Sequence, residues 1–527
     1  MPKFASCNLS LVLVAFTTIV ISCQNNQTDN TSNDDMLVST YYQEQHRNQI
    51  HFSPEKQWMN DPNGMVYYEG EYHLFYQFYP DSNVWGPMHW GHAVSRDLVH
   101  WEHLPIALYP DELGYIFSGS AVIDWNNTTG FGEKGNPPMI AIYTYHLMEG
   151  EKAGRDDYQT QGIAYSLDKG RTWTTYEGNP VIPNPGIKDF RDPKVFWHEE
   201  TSQWIMIFAS ADRVQIYQSP NLKEWTQASE FGKDQGSHGG VWECPDLFKL
   251  PVDGKEKWVM IVSLGRGGPN GGSGTMYFIG DFDGKTFTND NSPETVLWLD
   301  PGRDNYAGVT WSDIPKEDGR RIFIGWMSNW VYATVVPTYI WRSAMTLPRT
   351  LSLKNTDEGI RLISRPVEDI TVLRSELKTI EEVSINSQID ITAQTGFDGK
   401  PKELIFEFEY NPEAKADFGI KLHNQLGQEV KIGYNPANEE FFVDRTNSGK
   451  KDFSDDFATY DKANFKAEGK LKIHVFVDVA SVEIFVNDGE LVMTEIFFPD
   501  EDFNQLSLFG KRAKLTQGNV YSLQSIW

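Results

Sequence analysis

The chain is poor in cysteine, in basic charge and in long apolar runs. Three cysteines occur in 527 residues, Cys7, Cys23 and Cys244. Two of them lie near the start, so the domains downstream cannot rest on an internal disulfide and core packing must hold them. Basic side chains number 46 against 73 acidic ones, a formal charge of −27. That field repels nucleic acid and anionic headgroups, which excludes a nucleic-acid partner and suits a neutral substrate. The one sustained apolar run, Leu9–Ile21 after Lys3, is too short to span a bilayer and reads as the h-region of a signal peptide. Helical periodicity is almost absent beyond Phe52. No metal constellation emerges, with His89 and His92 the nearest approach to one, and no cofactor is implied. The Gly-rich stretch 265–274 opens no helix of a βαβ unit and matches no phosphate loop, so it reads as a mobile rim loop.

Aromatic residues, by contrast, are plentiful at 13%, with 17 Trp, as suits either a Trp-rich β core or a protein that stacks sugar rings. Val20-Ile21-Ser22-Cys23 resembles a bacterial lipobox, although Val20 stands where Leu is commoner. The resemblance implies a lipoprotein signal peptide over 1–22, cleavage before Cys23 and lipidation of its thiol. Residues 23–44 are mostly polar and read as a tether that cannot build a core. The expected location is the outer membrane or surface of a bacterium, with membrane contact only through the N-terminal lipid.

The chain is organised around Trp58-Met59-Asn60-Asp61-Pro62-Asn63-Gly64, in which Pro62 biases Asp61 towards an extended backbone and Gly64 allows a sharp bend before an apolar run. This pattern has two echoes, Phe190-Arg191-Asp192-Pro193 and Trp242-Glu243-Cys244-Pro245, each leading into a strand, turn, strand unit. A carboxylate therefore stands at the mouth of each unit. Together the three segments resemble the acidic motifs of glycoside hydrolase family 32, the invertases, inulinases and levanases.

Paired apolar runs recur five times: Met65–Tyr68 with Tyr72–Phe78, Ser120–Ile123 with Met139–Tyr143, Val195–Trp197 with Trp204–Phe208, Leu247–Leu250 with Trp258–Val262, and Val309–Trp311 with Arg321–Trp326. A turn element follows the first four, as in Ser95-Arg96-Asp97 and Ser166-Leu167-Asp168, with an aromatic a few residues on. Self-similarity of this kind predicts an all-β chain with a five-bladed β-propeller over 45–350. A mixed linker over 351–386 and a β-sandwich of about seven strands over 387–527 are expected to follow. The segment Val482–Gly489 is similar to the sandwich module of the same family. In a propeller the strand starts converge on the axis, which would gather the three acids.

The resemblance implies cleavage of β-fructofuranosidic bonds with retention of configuration. Asp61 would be the nucleophile, Glu243 the general acid and then base, and Asp192 a transition-state stabiliser beside Arg191. Retention calls for the Asp61 and Glu243 carboxyls to lie about 5–5.5 Å apart. Asn60, Gln77, Phe117 and Ser118 would bind the fructosyl unit, Trp85 would pack a sugar face and Trp326 would close the pocket. Trp242 and Cys244 are expected to desolvate Glu243, with Asn60 and backbone N–H groups keeping Asp61 charged.

The expected partner is a fructan polysaccharide or oligosaccharide, levan or inulin, with sucrose a further candidate and exo-acting release of fructose favoured. Endo-acting levanase and fructosyltransferase readings use the same acids. A sialidase is suggested by the Asp-box-like Ser166–Trp173, but it needs an Arg cluster and a Tyr nucleophile where this chain supplies carboxylates. A surface glycan-binding lipoprotein without activity would be expected to lack one of the three acids.

Overall fold

The structure is a computed structural model that describes residues 41–133 and 135–527. The expected signal peptide, Cys23 and nearly all of the tether lie outside the described residues. The described chain is a β-propeller followed by a β-sandwich. Among the described residues, five sheets of four or five strands follow one another in sequence order from Gln57 to Pro366. All five expected strand pairs form, each antiparallel.

The carboxylate motifs differ from expectation, because they lie inside strands and not in turns ahead of them. Trp58–Gly64 belongs to the strand Gln57–Tyr68, and Arg191 and Glu243 to the strands Phe190–His198 and Trp242–Val252. What bends the chain there is a bulge. In each of the five innermost strands, three residue steps stand opposite two on the neighbour, as at Met59 to Pro62, Ile116 to Gly119 and Glu243 to Asp246. The same irregularity occurs at Arg191 to Lys194 and Tyr306 to Val309. An extra residue kinks the strand and re-aims the side chains beside it.

The turn repeat has one capping geometry in three of its four copies, while Asp168 instead accepts the Thr172 N–H at 2.8 Å. Asp97 Oδ1 accepts the backbone N–H groups of Val99 and His100 at 3.0 and 2.8 Å. Asn221 and Asp283 cap their turns in the same way. The residue after each of these side chains, Leu98, Lys169, Leu222 and Gly284, has positive φ. The first and fifth sheets are joined by adjacent short strands: Trp341–Arg342 pairs parallel to Gln57–Trp58, while Ala344–Met345 pairs with Trp326–Met327 of the fifth sheet.

Residues 351–386 are not a linker. Arg349–Thr356 and Gly359–Pro366 complete the fifth sheet, a short 3-10 helix covers Glu368–Leu373, and Arg374–Ile380 already pairs with Ala513–Leu523 of the sandwich. The sandwich has seven- and six-stranded sheets in place of about seven strands, packed over one apolar core that includes Phe406, Ile432 and Ile473. Asn487-Asp488-Gly489 forms the expected hairpin turn, all three residues at positive φ.

Buried charge ties propeller to sandwich. Arg349 bonds Asp300 at 2.9 Å and Glu483, all three side chains fully buried. His51 bridges Asp478 at 2.7 Å and Glu483 at 2.9 Å. The Gly-rich stretch, expected to be mobile, is pinned at this junction: Asn270 donates to the Lys462 carbonyl at 3.0 Å and accepts the Lys462 N–H at 3.0 Å. Burial alone would lower the pKa of His51, but its hydrogen bonds to Asp478 and Glu483 carry it up to about 9. A histidine with a raised folded pKa stabilises fully below its unfolded value, near 6.5, and loses that contribution as pH rises through 9. The stability of the wild type to urea is therefore expected to fall between pH 6 and pH 9.5 by more than that of His51→Gln. Parallel losses in the two proteins would refute the assignment.

Candidate active site

Because each innermost strand bulges near its start, residues from all five sheets meet in one line of contacts. Ser118, on Tyr115–Ile123, donates to Asp61 Oδ2 at 2.9 Å. The Cys244 thiol lies 3.7 Å from Asp61 Oδ2 and 3.7 Å from Asp192 Oδ2, and the Cys244 N–H donates to Asp192 at 3.0 Å. Arg191 reaches from the third sheet to Glu243 Oε1 at 2.9 Å and stands 3.9 Å from Asp192. Tyr306, at the start of Tyr306–Thr310 in the fifth sheet, donates to Glu243 Oε2.

Arg191 is itself aimed from behind. Asp189 accepts from it at 2.7 Å, while Gln159 accepts the Phe190 N–H at 2.7 Å. Thr144 accepts the Asp192 N–H at 3.0 Å and donates to Gln161. Asp192 and Cys244 both have positive φ, a strained conformation that the bulges impose.

Burial acts on both aspartates in a way the sequence did not indicate. Asp61 is held above the usual carboxylate range, chiefly by burial and further by the Glu243 charge, against the pull of Asn60 and Ser118. Its Oδ1 is buried and has no hydrogen-bond partner among the described residues. Asp192 is pushed up to about 7 by burial, with Arg191 opposing and the charges of Glu243 and Asp61 adding. Cys244, expected to serve Glu243, faces the aspartates with its thiol. Its thiol sits between the two aspartates, where burial and their charges push it well up and keep it protonated. Trp242 is fully buried in the core between the third and fourth sheets, with its N–H on the Ser237 carbonyl. Glu243 instead meets Arg191 and Tyr306.

The other expected site residues divide into two groups. Asn60 is buried and accepts the Trp58 indole N–H at 2.7 Å. Phe117 stacks on His146 with ring centres 4.2 Å apart, and Trp85 meets it edge-on at 6.1 Å, so both stay near Ser118. Gln77 is buried and donates to the Ile116 carbonyl at 3.0 Å, a bond that holds the Phe117-Ser118 strand. Trp326 does not close a pocket. It is fully buried behind Tyr306, packed on Trp58 and Trp330. His89 and His92 do not meet as ligands, since His92 pairs with His73 and His89 with the Pro87 carbonyl.

Tyr306 is the site residue that sequence reasoning missed. Its signal was present, since it begins the innermost strand of its sheet as the acids do in theirs.

The glycosyl hydrolases family 32 N-terminal domain matches residues 51–366, and the family 32 C-terminal domain matches residues 369–524. The chain belongs to glycoside hydrolase family 32. This family 32 enzyme is 53% identical to a levanase of Bacillus subtilis over 94% of its own length and 72% of the relative's. It is 40% identical to an extracellular exo-inulinase of Aspergillus awamori, over 92% of this chain and 96% of that one. Among solved structures, an exo-inulinase from Aspergillus awamori superposes with a TM-score of 0.83 at 39% identity, covering 92% of this chain and 100% of that chain. A fructofuranosidase variant from Schwanniomyces occidentalis, complexed with fructosylnystose, gives 0.82 at 33%, covering 92% and 99%.

For the family 32 enzyme the raised Asp192 pKa has a stability consequence. The folded state holds a proton that the unfolded state has released between about pH 3.8 and 7, so stability falls as pH rises through that window. Asp192→Asn removes the penalty while keeping an oxygen for the Cys244 N–H. Its melting temperature relative to wild type is expected to be higher at pH 8 than at pH 4, and a pH-independent difference would show that Asp192 ionises freely.

Proposed function

We propose that the enzyme hydrolyses β-fructofuranosidic bonds in fructans with retention, releasing fructose from chain ends. The observation that carries the reading is the convergence of Asp61, Asp192 and Glu243, from three sheets, on one line of contacts. Asp61 attacks the anomeric carbon through a carboxylate oxygen as the bond to the leaving oxygen breaks, and Glu243 gives that oxygen its proton. In the second half, Glu243 takes a proton from water, the hydroxide adds to the anomeric carbon, and Asp61 leaves as carboxylate. Asp192 accepts hydrogen bonds from fructosyl hydroxyls, and Asn60, Phe117, Ser118 and Trp85 line the sugar site.

Two features support Glu243 as the acid. Its Oε1 is held by the Arg191 N–H groups and its Oε2 by the Tyr306 hydroxyl, which fixes the carboxyl in one orientation. Gly265 lies beside Oε2, and a Cβ there would stand 3.4 Å from it, so glycine leaves room for a leaving-group oxygen. Tyr306 is buried with its pKa pushed well up, so it stays a phenol that orients Glu243 and does not act as a base. The levanase and exo-inulinase relatives support fructan as substrate and exo action.

The test is a product time course on levan, inulin and sucrose. Fructose alone is expected from the earliest points, whereas early oligosaccharides would mean endo action and longer products would mean transfer. Glu243→Gln should lose about 10²–10⁴-fold in kcat together with the high-pH limb of the rate profile. A limb left in place would remove Glu243 from the role.

Secretion and anchoring belong to the same reading: residues 1–22 direct export and Cys23 carries lipid, in keeping with the extracellular exo-inulinase relatives. Radiolabelled palmitate should be incorporated by the wild type and not by Cys23→Ala, and equal labelling would overturn the anchor.

A further inference from the structure

The innermost strands that carry the acids at one end open at the other end into a second space. Its volume is about 990 Å³, at the upper end of the range for small-ligand sites. It is not part of the acid site. Ser118 bonds Asp61, whereas Ile123, five residues further along the same strand, lines the second space, a separation of roughly 16 Å at strand rise. Between them is a gap of only about 10 Å³, lined by Asp192, Cys244 and Lys194 among others. Lys194 closes it on the far side, its buried ammonium donating to the Thr310 carbonyl at 2.5 Å and lying 3.3 Å from Asp246.

Three features of the far cavity point to its ligand. Trp125 is 60% exposed, an unusual position for so large an apolar ring. It is nonetheless held in place: its indole N–H donates to Asp313 at 2.8 Å and Tyr68 packs against its ring. Trp197 also lines the cavity, its N–H fixed on Glu199 at 3.1 Å. A guanidinium, Arg321, reaches the cavity from the Arg321–Met327 strand and, among the described residues, makes one long side-chain hydrogen bond, 3.5 Å to the Trp311 carbonyl, while packing over Phe248. Its remaining N–H groups are left as donors. Cationic and carboxylate side chains in the lining nearly balance, four against five. Rigid aromatic faces, a donor fork and no strong net charge suit an uncharged polyhydroxylated chain, since sugar rings present C–H faces to aromatics and hydroxyls to charged groups.

We propose that this far-face cavity is a second carbohydrate site, which holds a neutral oligosaccharide segment of the polymer while a chain end occupies the acid site. Trp125 is its stacking platform and Arg321 a hydroxyl-binding group. The identity of the segment as fructan rests on the function proposed above. A polymer held at two places dissociates more slowly than one held at the acid site alone, so the site acts on long substrates and leaves short ones untouched.

The experiment uses wild type, Trp125→Ala and Trp125→Tyr. Each is run in native gels containing levan or inulin, and each is assayed on the polymer and on a fructosyl trisaccharide. Trp125→Ala is expected to lose retardation in the gel and to raise KM on polymer severalfold, with kcat/KM on the trisaccharide within twofold of wild type. Trp125→Tyr should restore both polymer readouts. Melting temperatures within a few degrees of one another would confirm that the folds are intact. If the trisaccharide rate falls as much as the polymer rate, or if gel retardation is unchanged while the wild type still releases fructose, the second site is overturned. A wild type that releases no fructose from levan or inulin would instead overturn the fructan reading itself.

Discussion

Like charge held close together in a buried space is the constraint on which the centre of this molecule depends. Burial makes Asp61 and Asp192 harder to ionise, and the charges of their acidic neighbours add to it. The counterweight is a single guanidinium. Arg191 touches Glu243 and Asp189 and stands beside Asp192, and the charges of these carboxylates overcome the burial that would otherwise lower its own pKa. A lysine would supply the charge but not the fork that serves Asp189 and Glu243 at once. Asp61, with no cation of its own among these contacts, has only neutral donors such as Ser118 to set against burial and the Glu243 charge.

That arrangement requires side chains from different sheets to point inward at one level, and an unbroken strand would alternate them in and out. The repeated bulge resolves the conflict. Where three residue steps face two, adjacent residues can both serve the site, so Arg191 and Asp192, or Glu243 and Cys244, act from consecutive positions. Pro follows Asp61, Asp192 and Cys244, and it can stand there because a bulge leaves a ladder hydrogen bond unmade. Tyr306, Ala307 and Gly308 meet the same requirement without Pro, which is why the fifth strand did not stand out as an echo of the motif.

Much of this was legible from local chemistry. The five strand pairs follow from apolar runs between turn residues, and the turn repeat follows from Asp or Asn capping its own backbone. That the three acidic segments belong together was legible from their resemblance to the motifs of the family, not from any one Asp-Pro alone. What failed was anything set by the partner of a side chain. Cys244 was assigned to its sequence neighbour Glu243, but a positive φ turns it onto two aspartates from other sheets. Trp326 has the composition of a sugar platform, yet only packing against Trp58, Trp330 and Tyr306 reveals it as a support. The supposed linker failed for a related reason. Arg374–Ile380 alternates polar and apolar residues weakly, and its partner Ala513–Leu523 lies far along the chain.

The bond between propeller and sandwich bears on the acids as well. The first and fifth sheets meet through Gln57–Trp58 and Trp341–Arg342, while Arg349, a few residues on, is anchored to Asp300 and to Glu483 of the sandwich. The strand that carries Asp61 and the strand that carries Tyr306 are thus held in register by a junction clamped from outside the ring. Buried ion pairs are weak contributors to net stability, because desolvation offsets most of their attraction, but breaking one is costly. Such a clamp resists displacement more than it deepens the fold, and resistance to displacement is what the closely spaced groups at the mouth require. On this argument the sandwich steadies the acids by keeping the ends of the propeller sheet series from sliding past each other.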